Sequence, residues 1–97
     1  MLRHVVMFKL DEAAPTGTME AILTGLARLR KLPMVSSYSF GTDLGVGTAT
    51  YDVVLVGEFA DTDAWRAYMA DPTHLEFVNT VIRPNVSARA AVQYEVT

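Results

Sequence analysis

Apolar positions along this chain follow two different periods, and the switches between them predict the order of elements. In "RHVVMFKL", Arg3 to Leu10, apolar side chains occupy both parities: Val6, Phe8 and Leu10 on one, Val5 and Met7 on the other. A short run rich in β-branched and aromatic residues reads as a strand covered on both faces. His4 shares the face of Val6 and Phe8. "DEAAPTG" breaks the run. Met19, Ile22, Leu23, Leu26 and Leu29 then recur at spacings of three and four, the single stripe of an amphipathic helix. Gly25 lies within this helix at a cost of about 1 kcal/mol relative to alanine, which points to close packing there. Pro33 ends the helix near Leu32.

Val35 to Phe40 predicts a second strand, with Tyr38 and Phe40 on one side and Ser37 and Ser39 on the other. "GTDLGVGTAT" is a flexible loop, and "YDVVLVGEF", Tyr51 to Phe59, a third strand. Asp61, Thr62 or Asp63 can cap a short helix whose inner face carries Trp65, Tyr68 and Met69. Asp71 followed by Pro72 is a second cap with proline at the first helical position, so a further helix runs to about Ile82 and stops at Pro84. Val86 to Val96 supplies the last strand. The order β-α-β-β-α-β predicts an α+β, ferredoxin-like fold, with a four-stranded antiparallel sheet and its helices on one face. Val5, Met7, Val54 and Val56 cannot all point towards those helices. The simplest cover for them is a second copy, giving a homodimer with sheets packed face to face as a dimeric α/β barrel.

Composition narrows the class. Ninety-seven residues, 51% hydrophobic and 20% charged, suit one globular domain over 1–97. With no cysteine to cross-link so small a core, oligomerisation is expected. The net charge of −3 and the scatter of eight Lys+Arg argue against a nucleic-acid partner. The cluster of Arg28, Arg30 and Lys31 closes a helix, where positive charge complements the dipole. No apolar run approaches the roughly 18 residues of a membrane span, and His4 and Lys9 interrupt the opening segment, so a cytoplasmic protein is expected. "GVGTAT" lacks the third glycine of a dinucleotide loop and leads into a strand. With two histidines and no cysteine, neither a metal nor a cofactor is expected.

Four stretches, "RHVVMFKL", "LPMVSSYSFGTD", "YDVVLVGEF" and "YMADPTHLEFV", cover nearly the whole chain in one order. In that order they resemble the dimeric α/β barrel, or stress-responsive A/B barrel (Dabb), family. The resemblance implies a ferredoxin-like protomer and a dimer joined through its sheets. Members of the olivetolic acid cyclase type are polyketide cyclases that perform an intramolecular aldol condensation without a cofactor. In them a histidine after a Pro-x-His turn is the base, and a tyrosine six residues earlier assists. Those positions are His74 and Tyr68 here, and His4 matches another histidine near the start of the first strand. The orienting aspartate of the cyclases falls at Gln93, with Glu95 two residues on as the substitute carboxylate.

The candidate site is therefore His74, Tyr68 and His4. Positions 74, 77, 78 and 81 share one helical face, and Phe77, Val78 and Val81 make it apolar, so His74 should point inward. Burial favours the neutral imidazole, the form a general base needs; the ordinary alternative is a core histidine bonded to the backbone. A buried Tyr68 needs a partner for its hydroxyl, whether His74, a substrate oxygen or water. Two functions follow. One is a small acid–base enzyme of aldol cyclase or isomerase type, acting on an apolar, oxygenated, polyketide-like molecule; oxygen-dependent chemistry, as in the related antibiotic-monooxygenase barrels, is a variant of it. The other is a stress-related or ligand-binding dimer without catalysis.

Overall fold

In the computed structural model, which describes residues 1–96, the strands are β1 (Leu2–Leu10), β2 (Ser37–Thr42), β3 (Val53–Phe59) and β4 (Val86–Glu95). They form one sheet in the order β2-β3-β1-β4, antiparallel at every pairing. The helices are α1 (Thr18–Leu29), α2 (Thr62–Ala70) and α3 (Pro72–Phe77). This is the expected ferredoxin-like arrangement. Arg30–Leu32 form turns rather than a last turn of α1, and β2 starts two residues beyond the predicted Val35.

Alternation along the strands sorts the two faces. His4, Val6 and Phe8 of β1 and Val53, Leu55 and Phe59 of β3 are buried with Ile22, Leu26 and Leu29 of α1 in one core. Gly57, in register with both His4 and Tyr38, leaves space on this face; a Cβ there would stand 3.1 Å from the Tyr38 ring. The opposite face carries the exposed side chains of Met7, Val54, Val92 and Tyr94.

The caps act as the residue types suggest. Asp61 accepts the Ala64 N–H at 2.8 Å and Asp71 the Thr73 N–H at 2.8 Å, so the chain turns at Asp71 and presents a new helix start with Pro72 in its first turn. The run to Ile82 is not one α-helix. Val78–Ile82 is π-helical, and the Arg83 N–H donates to the Val78 carbonyl at 2.9 Å, five residues back.

Candidate functional site

Each expected site residue lies on an element that buries it. His4 is 2% exposed on the inner face of β1, Tyr68 1% on α2, and His74 9% at the third position of α3. The Tyr68 ring stands between the two imidazoles, its centroid 6.0 Å from His4 and 4.7 Å from His74. All three line a cavity of about 360 Å³ between helices and sheet, walled by apolar groups that include Phe8, Leu55 and Phe77. A larger groove of about 560 Å³ lies elsewhere, beneath the 43–52 loop beside Met7 and Val54. Its two carboxylates are already engaged: Asp43 accepts from Gly45 and Thr50 within the loop, and Asp52 from the Leu10 N–H at the end of β1.

The hydrogen bonds define which imidazole nitrogen is free. His74 Nδ1 lies 3.1 Å from the Met69 carbonyl, which can only accept, so the proton sits on Nδ1. His4 Nδ1 lies 2.6 Å from Gln93 Oε1 and 3.3 Å from the Trp65 indole N–H. An Nδ1 that donates to Gln93 cannot also accept from Trp65. The shorter contact decides, and the indole N–H is left with a weak approach to the ring. Among the described residues no buried side-chain N or O lacks a partner. Among the described residues neither imidazole Nε2 has a partner, so neither nitrogen is sealed off, and both rings line the cavity.

Electrostatics keep these rings neutral. Burial is the main cause lowering both histidines below the ordinary 6.5. At His4 the Gln93 bond opposes that shift and the Arg89 charge adds to it; at His74 the Met69 bond opposes it and Arg89 again adds. The Tyr68 hydroxyl does not bond His74. It bonds the hydroxyl of Tyr38 at 2.9 Å. Burial pushes Tyr68 up to about 12, the bond from Tyr38 holding it back, and burial followed by the neighbouring Tyr68 raises Tyr38 further.

Two expectations on β4 change. Gln93 sits opposite His4 in the β1–β4 register and orients that ring, whereas His74 is oriented by its own backbone at Met69. Glu95 is no substitute, because it is exposed and bonds the Met1 ammonium at 2.8 Å. Sequence reasoning also passed over Tyr38, whose parity with Phe40 marked it as inward. It missed Arg83 and Arg89, which border the cavity; Arg89 has the parity of Gln93 on β4.

A ferredoxin-like α+β protomer with histidines and a tyrosine gathered between helices and sheet defines the class. The family model of the stress responsive A/B barrel domain (Dabb) matches residues 2–96, and the chain belongs to that family. Among curated protein sequences none matches. A dimeric ferredoxin-like protein of unknown function from Thermobifida fusca is 30% identical, with a TM-score of 0.89 over 98% of this chain and 90% of that one. The hydroxynitrile lyase of Passiflora edulis shares the fold at 18% identity and a TM-score of 0.85, over 99% of this chain and 93% of that one. An antibiotic biosynthesis monooxygenase does so at 15% identity and 0.80, over 100% and 99%.

Proposed function

We propose that this protein is an acid–base enzyme of the aldol cyclase or isomerase type, working as a homodimer through its sheet faces on a small apolar carbonyl compound. One observation carries the reading: two buried imidazoles, each with Nδ1 beside a carbonyl oxygen, line one largely apolar cavity, and with the proton on Nδ1 each keeps its Nε2 lone pair for a ligand. A lone pair in a dry site is what proton abstraction next to a carbonyl requires. His74 Nε2 takes that proton. Tyr68 remains protonated at neutral pH, and when Tyr38 donates to it the Tyr68 O–H is free to bond the developing enolate oxygen. His4 Nε2 is an acceptor in this tautomer and suits a substrate hydroxyl or a second proton transfer. The dimer rests on the exposed apolar sheet face and on the dimeric relative from Thermobifida fusca.

Deuterium uptake tests the chemistry. Aryl 1,3-diketones and β-keto esters in D₂O should exchange their α-protons faster with the protein than in buffer, by ¹H NMR. H74Q, with its fold checked by circular dichroism, should lose about 10²–10⁴ of that acceleration. Exchange at the buffer rate across the panel, or unchanged in H74Q, refutes the reading. A second reading, ligand binding without turnover, is favoured by the neutrality of both Nδ1 partners. Gln93 Oε1 and the Met69 carbonyl stabilise a nascent imidazolium less than a carboxylate does.

A further inference from the structure

The cavity has a charged mouth that the proposed chemistry does not use. On β4, Arg89, Ala91 and Gln93 pair with Phe8, Val6 and His4, and so project to the same side as the histidines. All three are exposed, unlike their β1 partners, because the helices leave this edge of the sheet bare. The π turn brings a second cation. Its i+5 hydrogen bond widens the turn by one residue, so that Arg83 stacks over Val78 instead of rotating past it, and both line the cavity. Ile82, Arg83 and Arg89 are shared between this cavity and an outer groove of about 280 Å³, so the two arginines stand between the apolar interior and solvent.

Charge distribution makes the location specific. The chain carries 11 Asp+Glu against eight Lys+Arg, yet among the described residues no carboxylate lines the cavity or the outer groove. Among the described residues the ion pairs are Met1–Glu95, Arg3–Glu58 and Arg66–Asp63, and neither Arg83 nor Arg89 takes part. Two guanidinium forks beside a carboxylate-free apolar pocket match a carboxylate, which accepts a parallel pair of N–H bonds from one fork and keeps outer lone pairs for the other. A cavity of about 360 Å³ has room for about 20 non-hydrogen atoms at protein packing density, enough for a small aryl keto acid.

We propose that Arg83 and Arg89 form a carboxylate subsite at the cavity mouth, making the ligand a small apolar keto acid whose carbonyl lies inside, beside His74 and Tyr68. The inference rests on the proposed acid–base reading and names the substrate class for that same cavity. The test is binding of 3-benzoylpropionate and of its methyl ester to the full chain, by calorimetry and by shifts of the His4 and His74 ring signals. The acid should bind about tenfold or more tighter than the ester. That ratio should shrink as salt rises and approach one in R83Q/R89Q. Equal affinity of acid and ester for the unmodified protein overturns the subsite while leaving the cavity reading in place. So does an acid preference that survives the double substitution. Failure of both compounds to bind, with the ring signals unmoved, removes the subsite and counts against the cavity reading as well.

Discussion

At the scale of single residues, the proton positions on His4 and His74 decide what the site can do. A free histidine side chain prefers its proton on Nε2, but the oxygens of Gln93 and Met69 beside Nδ1 favour the Nδ1–H tautomer in both rings. Two-dimensional ¹⁵N spectra at pH 7.5 should show protonated Nδ1 and pyridine-like Nε2 for both; a Nε2–H signature at His74 would contradict the base assignment. The depressed pKa values also have a consequence for stability. Where a folded-state histidine titrates below the unfolded value of 6.5, the unfolded chain binds more protons between the two values. Stability from burying the neutral rings is therefore complete above about pH 7 and lost as pH falls through 6.5 and below. Glu58, lowered chiefly by its bond to Arg3, acts in a separate window beneath its ordinary 4.5. The melting temperature should be flat above pH 7 and decline between pH 6.5 and 5, and the decline should weaken in H4Q/H74Q. A slope unaffected by that double substitution would rule out the imidazoles as its source.

At the scale of elements, α1 approaches α3 through a position with no side chain. A Cβ on Gly25 would lie 2.1 Å from Cε1 of Phe77, inside any permissible contact, and Phe77 is also a wall of the cavity. Alanine gains about 1 kcal/mol of helix propensity, but displacing a packed ring costs about 1–3 kcal/mol. Gly25→Ala should therefore lower stability in denaturant unfolding by about 1 kcal/mol. It should also push Phe77 into the cavity and weaken binding of aryl ligands there. Gly25→Ala combined with Phe77→Leu should recover part of both losses; a G25A variant more stable than the unmodified protein would show that α1 can move. The sequence marked Gly25 as a close contact through its cost to the helix. It did not mark the π turn at Val78–Ile82, which has no residue signature and within which Ile82 is buried.

For the whole molecule, the outer sheet face is the unresolved surface of a lone protomer. Met7, Val54, Val92 and Tyr94 are 36–55% exposed on a sheet whose other side is covered by the helices except along β4. Arg3 anchors one end of this face by bonding Glu58 at 2.7 Å and the Tyr94 hydroxyl at 2.8 Å. Burying such a band against its own copy removes apolar area from water without exposing a new surface, the self-complementary solution for a two-fold dimer. Light scattering at micromolar concentration should give twice the 10.6 kDa protomer mass, and Val92→Glu should give the protomer mass with its circular dichroism retained. A monodisperse monomer for the unmodified chain would refute the sheet-face dimer.

Local chemistry alone determined the element order, the alternation of side chains along β1 and β2, the Asp71 cap and the apolar surroundings of His74. Each of these depends on the period of neighbouring side chains or on a hydrogen bond spanning two or three residues. Tertiary structure decided what meets across the core. Tyr38 and Tyr68 share a hydroxyl contact across 30 positions, Gln93 reaches His4 across 89, and Arg89 borders the cavity of a histidine on another element. Such partners depend on strand register and helix placement, which are set by the summed packing of the whole core, so no local pattern in the chain encodes them.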